Sequence, residues 1–577
     1  MKQYFEKMED FGTKLTKEQL ISSKENKKSI LKVESEIQKE IDEVKNAGIS
    51  TKKINLRGSW TIWQRIEYLV DKGSWFPLHT LYNPNNNKEG STNVFDGLAK
   101  IKGKWCVLIG FDNKVMAGAW IPGQSENILR AINISKRLNI PLIWIVNCSG
   151  VKLFEQEKSY PGRRGGGAAF FRHAELAQMG IPVLAGIYGT NPAGGGYHSI
   201  SPLVLFAHKD CNIAVGGAGI LSGMSFDGFF DEESAKELIK ASKQYKAKPP
   251  GSIDTHYDHT GFFRYVYEKE EGVLDGLKDY MKDMPAYNPK FFRVAEPKKP
   301  KFDSEDLFAL IPFEQKKTYD FKDVLSRIVD NSEHMEFKAD YGHEVYTSLV
   351  KIDGFLVGVI GNNQGSFGEN YPEYADYEGT GGTLYRQGLI KMSEFVTLCN
   401  RDRIPLIWFQ DTTGIDVGEA AEKAELLGLG QTLMYSIQQT KVPMILVTLR
   451  KGSVAGHYVM GGPVANQHNV FTLGTATTEI YVMPGETAAA ASFSRRLVKE
   501  NDAGNSLSPI IDKMNQQVKE YYDNSRPAYC AKNGMVDEVV KMTEIRNYLK
   551  AFAGAFYQNP RSICAHHHML TPRVIKG

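Results

Sequence analysis

The chain is written twice, and that constrains its fold more than any other feature. Residues 140–150 read Ile-Pro-Leu-Ile-Trp-Ile-Val-Asn-Cys-Ser-Gly, and residues 404–414 read Ile-Pro-Leu-Ile-Trp-Phe-Gln-Asp-Thr-Thr-Gly, an offset of 264. Ile181-Pro182-Val183 leading to Ala193-Gly194 returns as Val442-Pro443-Met444 leading to Ala455-Gly456, at offsets of 261 and 262. Arg65-Ile66 with Leu69-Val70-Asp71 resembles Arg327-Ile328-Val329-Asp330 at an offset of 262, and the strand-like stretch 103–110 resembles 354–361 at 251. Four matches in one order mean a duplicated unit. That evidence outranks the prior of roughly 150 residues per domain, which would divide 577 residues into about four.

Each copy has the same grammar. An apolar helix (128–138; 389–400) feeds an apolar run and a small-residue turn. A second helix (172–179; 421–439) feeds another apolar run and a Gly/Ala turn. Strands without polar alternation are buried on both faces, as parallel strands joined by helical crossovers are. The fold class is α/β, two similar domains in tandem, with ligands expected at the carboxyl ends of the strands. Pro285, Pro289, Pro297, Pro300 and Pro312 favour an extended linker between the copies. We therefore expect an N-terminal helical segment over 1–49, domains over 50–284 and 318–577, and a linker over 285–317. In the first segment Ile30, Val33, Ile37, Ile41 and Val44 form a narrow apolar stripe that Gly48 ends, so the helix should lie on a neighbour or a partner subunit.

Other classes are excluded by composition. A net charge of +3 gives no reason to expect nucleic acid. The six cysteines form no CxxC pair, which argues against a zinc ribbon and a disulfide framework. Charged residues stand where a signal peptide would have an apolar core, and no apolar run approaches the ~20 residues that span a bilayer. A cytoplasmic protein is expected.

The 54 glycines cluster at the strand ends. One strand runs out in Asn147-Cys148-Ser149-Gly150-Val151-Lys152 and the next in Thr190-Asn191-Pro192-Ala193-Gly194-Gly195-Gly196-Tyr197. Small residues let the main chain approach a ligand, and a helix starting there leaves its first N–H groups unpaired. Two such turns on adjacent strands aim two N–H groups at one oxygen, an oxyanion hole. A single Gly-rich turn is usually only a turn; a pair repeated at constant offset favours function.

These stretches, with Val115-Met116-Ala117-Gly118-Ala119, Asp411-Thr412-Thr413-Gly414-Ile415, Arg450-Lys451 and Val482-Met483-Pro484-Gly485-Glu486, resemble the biotin-dependent carboxyltransferases over about residues 50–560. Within the family, Gln156-Glu157-Lys158, Arg163-Arg164-Gly165-Gly166-Gly167 and Asn191 to Ser199 are most similar to the decarboxylating branch that acts on glutaconyl-CoA. The resemblance implies two tandem crotonase-like domains of ββα superhelix type. It implies a CoA thioester held in the first by Ala117, Gly118, Ala119, Gly150, Val151, Gly194 and Gly195, its oxygen facing the N–H groups of Val151 and of Gly194 or Gly195. In the second, biotin's ureido oxygen would face N–H groups from Gly414 or Ile415 and from the Val454-Ala455-Gly456 turn. No side-chain general base is needed. It further implies a homodimer or larger even oligomer, with the two ligands meeting across its interface. Biotin would arrive on a separate carrier subunit. A membrane-embedded partner that decarboxylates carboxybiotin and pumps sodium ions would hold the chain peripherally at the membrane. Three glycines at 194–196 and Val454-Ala455-Gly456 depart from the common family turns, so the sequence leaves open which amides point inward.

No metal is expected. His566-His567-His568 reads as a tail, Gly217 to Gly223 as a weak imitation of a dinucleotide fingerprint, His256 as structural, and Lys391 as a helix lysine rather than a biotinylation site. Three other functions remain open. The chain could be the carboxyltransferase subunit of an ATP-dependent propionyl- or methylcrotonyl-CoA carboxylase, whose oxyanion chemistry is the same. A crotonase-like hydratase would use Glu155, Glu157 or Glu175 as carboxylates. A non-enzymatic scaffold would only dock the biotin carrier.

Overall fold

The computed structural model describes residues 8–559 apart from 201, 203, 225, 227, 248, 285–286, 288–291, 368–378 and 464–465. The chain divides into two units, Glu40–Pro289 and Met1–Lys39 with Lys290–Gly577. The first holds a seven-stranded sheet in chain order: β1 (Trp75–Leu78), β2 (Val94–Ile101), β3 (Lys104–Phe111), β4 (Leu142–Val146), β5 (Val183–Ile187), β6 (Val204–His208) and β7 (Tyr265–Tyr267). β1, β2 and β3 are antiparallel neighbours, and the pairs from β3 onward are parallel.

The second unit repeats that order and that switch. Its strands are β8 (Glu333–Glu336), β9 (Val345–Ile352), β10 (Phe355–Asn362), β11 (Leu406–Thr412), β12 (Met444–Ser453), β13 (Asn469–Gly474) and β14 (Glu538–Val539). Glu9–Asp10 extends its edge beside β8, and Glu479–Tyr481 pairs with β12. The register carries the repeat to the residue: Val107 lies opposite Leu142, and Gly358 lies opposite Leu406. These are the offsets of 251 and 264 read from the sequence. They differ because the second copy's extra residues fall between β10 and the helix after it. β4, β5 and β11 are buried at every position, with Trp144 and Trp408 fully enclosed at matching places.

Among the helices, those that carry or flank the strand-end turns, together with the N-terminal one, are α1 (Lys17–Asn46), α2 (Gln124–Leu138), α3 (Ala168–Gln178), α4 (Gly194–Ile200), α5 (Arg386–Asp402), α6 (Leu426–Gln439) and α7 (Val454–Val459). α2 and α5 end on Asn139 (φ 52°) and Arg403 (φ 57°), left-handed caps that turn both copies into Ile-Pro. The expected helix over 421–439 is broken, because Glu425 adopts φ 61° between Glu419–Lys423 and α6. α1 ends just before Gly48 (φ 78°) and lies on a neighbour as its stripe requires. Its Asn26 donates to the carbonyls of Phe308 and Ile311, and its Glu34 accepts from the Met542 N–H. The segment over 1–49 is thus no separate body. Nor is the described part of 285–317 a free linker: Arg293 donates to the Asp353 carbonyl at 2.8 Å, and Leu307–Leu310 forms a buried helical turn. Pro285 and Pro289 lie outside the described residues.

The repeated arginines are fully buried in both units. Arg65 makes a two-pronged ion pair with Glu270 at 2.8 Å on each arm and lies 3.7 Å over the Tyr188 ring. Arg327 binds Asp306 at 3.1 Å and Asp323 at 3.4 Å. Burial alone would raise the pKa of Glu270, but the charge and hydrogen bonds of Arg65 outweigh it and hold the carboxyl below its usual range. Glu270→Ala strands the guanidinium and is expected to destabilise by about 3–5 kcal/mol. The pair's contribution is present above the unfolded carboxyl pKa of about 4.3 and is lost as the pH falls through the lower folded value. Denaturant melts of both proteins from pH 7 to pH 3 check both statements: the gap between them should close in acid.

Candidate active site

The first turn follows β4. Gly150 takes φ 98°, a conformation that a Cβ would strain. Trp120 brackets the next residue: its N–H donates to the Gly150 carbonyl at 2.8 Å, and its carbonyl accepts the Lys152 N–H at 2.9 Å. Because residues 150 and 152 face Trp120, the Val151 N–H faces away and has no acceptor among the described residues. After β5, Thr190–Pro192 pairs with Asn212–Ala214, and the Ala193 N–H goes to the Ala214 carbonyl at 2.8 Å. α4 then starts, leaving the N–H groups of Gly194, Gly195 and Gly196 without a carbonyl inside the helix. The two turns abut. The Cys148 N–H donates to Asn191 Oδ1 at 2.8 Å, and a Cβ on Gly195 would come within 2.3 Å of the Cys148 carbonyl oxygen. Ala117 and Gly118 (φ 52° and 78°) with Ala119 form a turn at the same strand end, where Ser149 N–H donates to the Ala117 carbonyl.

The second unit repeats the device. Gly414 takes φ 116°. Gly414–Ile415 pairs in parallel with Thr383–Leu384, placing Leu384 beside Ile415 as Trp120 stands beside Val151, both at an offset of 264. The Asp416 N–H donates to the Leu384 carbonyl, matching Lys152 and Trp120. Alternate residues of a strand face opposite ways, so the Ile415 N–H points away from that pairing. Gly414 N–H, in contrast, donates to Thr412 Oγ1 at 3.1 Å, leaving Ile415 as the free donor of the two. α7 starts at Val454 without a side-chain cap, which leaves the N–H groups of Ala455 and Gly456 without a carbonyl inside the helix. Gly456 lies against the turn, since a Cβ there would stand 2.8 Å from Gly414 Cα.

Side chains hold these turns rather than offering acid–base chemistry. Asp411, at the end of β11, pairs with Arg450 at 2.8 Å with both side chains buried, and also accepts the Lys451 N–H. His457 is bonded to Gln410, and burial pushes its pKa down to about 4. Burial likewise drives His198 well below the usual histidine value, so both are neutral near pH 7. Glu155 is paired with Lys152 and Lys158, and Glu175 with Lys136 and Arg172, so neither stands free for a hydratase. His256 donates its Nε2–H to the Ile213 carbonyl at 2.7 Å, a structural contact. Lys391 is fully buried on α5 with its ammonium on the Val345 carbonyl, and burial lowers its pKa to about 8. Among the described residues no three His, Cys, Asp or Glu are grouped to hold a metal ion, and no helix is long and apolar enough to cross a membrane. His566 to His568 lie outside those residues. Trp120 escaped the sequence reading; its only signal was the mirrored position of Leu384.

The sequence model of the carboxyl transferase domain matches residues 53–570. The chain belongs to the carboxyl transferase family. It is 54% identical over 579 residues to the glutaconyl-CoA decarboxylase α subunit of Acidaminococcus fermentans, covering 100% of this chain and 98% of that protein. It is 26% identical over 539 residues to the mitochondrial methylcrotonoyl-CoA carboxylase β chain of Dictyostelium discoideum, covering 89% and 84%. The β subunit of geranyl-CoA carboxylase from P. aeruginosa shares the fold with a TM-score of 0.77 at 19% identity, over 96% of this chain and 97% of that one. These likenesses bear out the tandem crotonase-like fold and the enzyme class expected from the motifs, a biotin-dependent carboxyltransferase.

Proline at either bracketed position removes the free N–H without breaking a hydrogen bond of the fold. Val151→Pro and Ile415→Pro are each expected to lower kcat about 10²- to 10³-fold. Thermal melts within a few degrees of the parent protein would accompany that loss.

Proposed function

We propose that this chain is the carboxyltransferase subunit of a glutaconyl-CoA decarboxylase, moving the carboxyl group of glutaconyl-CoA to biotin on a carrier subunit and leaving crotonyl-CoA. The observation that carries it is the duplicated bracket, which leaves the N–H groups of Val151 and Ile415 unpaired beside the helix starts at Gly194 and Val454. The full-length likeness to a glutaconyl-CoA decarboxylase α subunit favours the five-carbon diacid ester over other CoA esters.

The first unit would take the CoA ester along Ala117–Ala119 and Gly150, with the thioester oxygen on the N–H groups of Val151 and of Gly194 or Gly195. When the bond to the distal carboxyl group breaks, its electron pair passes through the conjugated chain onto that oxygen. Fixed amides stabilise the charge without reorganising. In the second unit, the donor set at Ile415 and Val454–Gly456 fits a neutral urea oxygen that gains negative charge, so these residues would hold the biotin ring. Bound there, the ring would supply a nitrogen that gives up its proton and accepts the carboxyl group, while the dienolate takes up one proton at its terminal carbon to become crotonyl-CoA. The Asp411–Arg450 pair keeps the turn in place, and the neutral His198 and His457 add no competing charge. Burial of Lys391 supports a separate biotin carrier. A homodimer or higher even oligomer and a membrane-embedded sodium-pumping partner complete the proposal.

The purified chain is expected to convert glutaconyl-CoA to crotonyl-CoA only when free biotin or the carrier domain is present, followed by chromatography of the CoA esters. Bound ester without turnover would overturn the reading. Preference for methylcrotonyl-CoA and co-purification with a biotin carboxylase would establish the ATP-dependent carboxylase instead.

A further inference from the structure

We propose that Trp120 is a positioning residue that sets the spacing between the two donors of the thioester site, and that this spacing distinguishes the thioester half from the biotin half. The inference rests on the function proposed above. Trp120 touches both donors in different ways. Its backbone brackets Val151 through Gly150 and Lys152. The six-membered ring of its indole lies against the start of α4: a Cβ on Gly194 would come within 2.4 Å of Cζ3 and 2.8 Å of Cε3. A Cβ on Gly166 would meet the same ring at 2.5 Å, so glycine on both sides makes room for it.

The ring is backed firmly. His198, on α4 itself, stands 5.1 Å from it and stacks on Trp144 at 4.9 Å and 27°, while Phe170 meets its edge at 6.4 Å. One side chain therefore fixes how far the helix start carrying the Gly194 N–H stands from the extended stretch carrying the Val151 N–H. The second unit makes the same bracket with Leu384, but builds no ring into it. Leu384 is a fully buried member of the second unit's hydrophobic core, and a Cβ on Gly456 would meet Gly414 Cα and Thr412 directly, with no side chain standing between the two turns there. The repeat thus holds the bracket constant and changes the spacer, as two holes for two different oxygens require.

The test compares the full chain with Trp120→Leu, which installs the residue of the other copy, and with Trp120→Phe, which keeps an aromatic plate. Steady-state kinetics with glutaconyl-CoA and free biotin are read together with the infrared carbonyl stretch of bound crotonyl-CoA labelled with ¹³C at the thioester carbon. For W120L, kcat is expected to fall about 30- to 100-fold with KM within about threefold. The labelled carbonyl should move back towards its frequency in water. W120F should give a carbonyl frequency between those of W120L and the parent and lose about three- to tenfold in kcat. A W120L enzyme with unchanged kcat and carbonyl frequency overturns the inference, as does a loss confined to KM. If W120L does not fold, W120F decides: parent values for both readouts overturn the inference, and an intermediate carbonyl shift with reduced kcat supports it. A parent enzyme inactive on glutaconyl-CoA would instead overturn the proposed function itself.

Discussion

The molecule depends on peptide groups that are deliberately left without partners. A donor buried away from water and unpaired costs about 1–3 kcal/mol, so folds arrange for nearly every one to be satisfied. Here the residues on either side of Val151 are hydrogen-bonded to Trp120, which fixes the plane of the intervening peptide and turns its N–H outward. The same arrangement recurs at Ile415. The surrounding parts serve this one constraint. Parallel strands bring the two turns side by side, positive φ at Gly150 and Gly414 bends the chain away, and short helices present a second set of free amides.

What stabilises the two copies differs in kind. The end of β11 is held by a buried ion pair, Asp411 with Arg450. Its counterpart after β4 is the neutral Asn147, and that turn is tied by the amide of Asn191 to Cys148. Buried charges of this sort contribute little net stability but strongly resist being separated. The second turn is therefore locked electrostatically and the first by hydrogen bonding and aromatic packing. Arg65 and Arg327, by contrast, are kept in both copies and anchor the helical entry to each sheet.

Most of the architecture was legible in the sequence because repetition and unbroken apolar runs leave few alternatives. Even the odd offset of 251 had a structural meaning, since it places the extra residues after β10. The glycines marked both strand ends. Which amide is free was not legible, because that depends on pairing between distant segments: 120 with 151, and 384 with 415. The hydroxyl of Thr412 decides between Gly414 and Ile415, and nothing in residue spacing announces that contact. Periodicity also misjudged the ends of the first unit. Hydrogen bonds between residues far apart in sequence bind α1 and the proline-containing stretch to the second copy, and local composition carries no record of them.

Using main-chain rather than side-chain donors has an evolutionary consequence. A backbone amide survives every substitution except proline, so positions 151 and 415 can change size and polarity without losing their hydrogen. Each copy of a doubled gene could thus be reshaped around its own guest while inheriting the same electrostatic device, with selection acting on the walls and never on the donor.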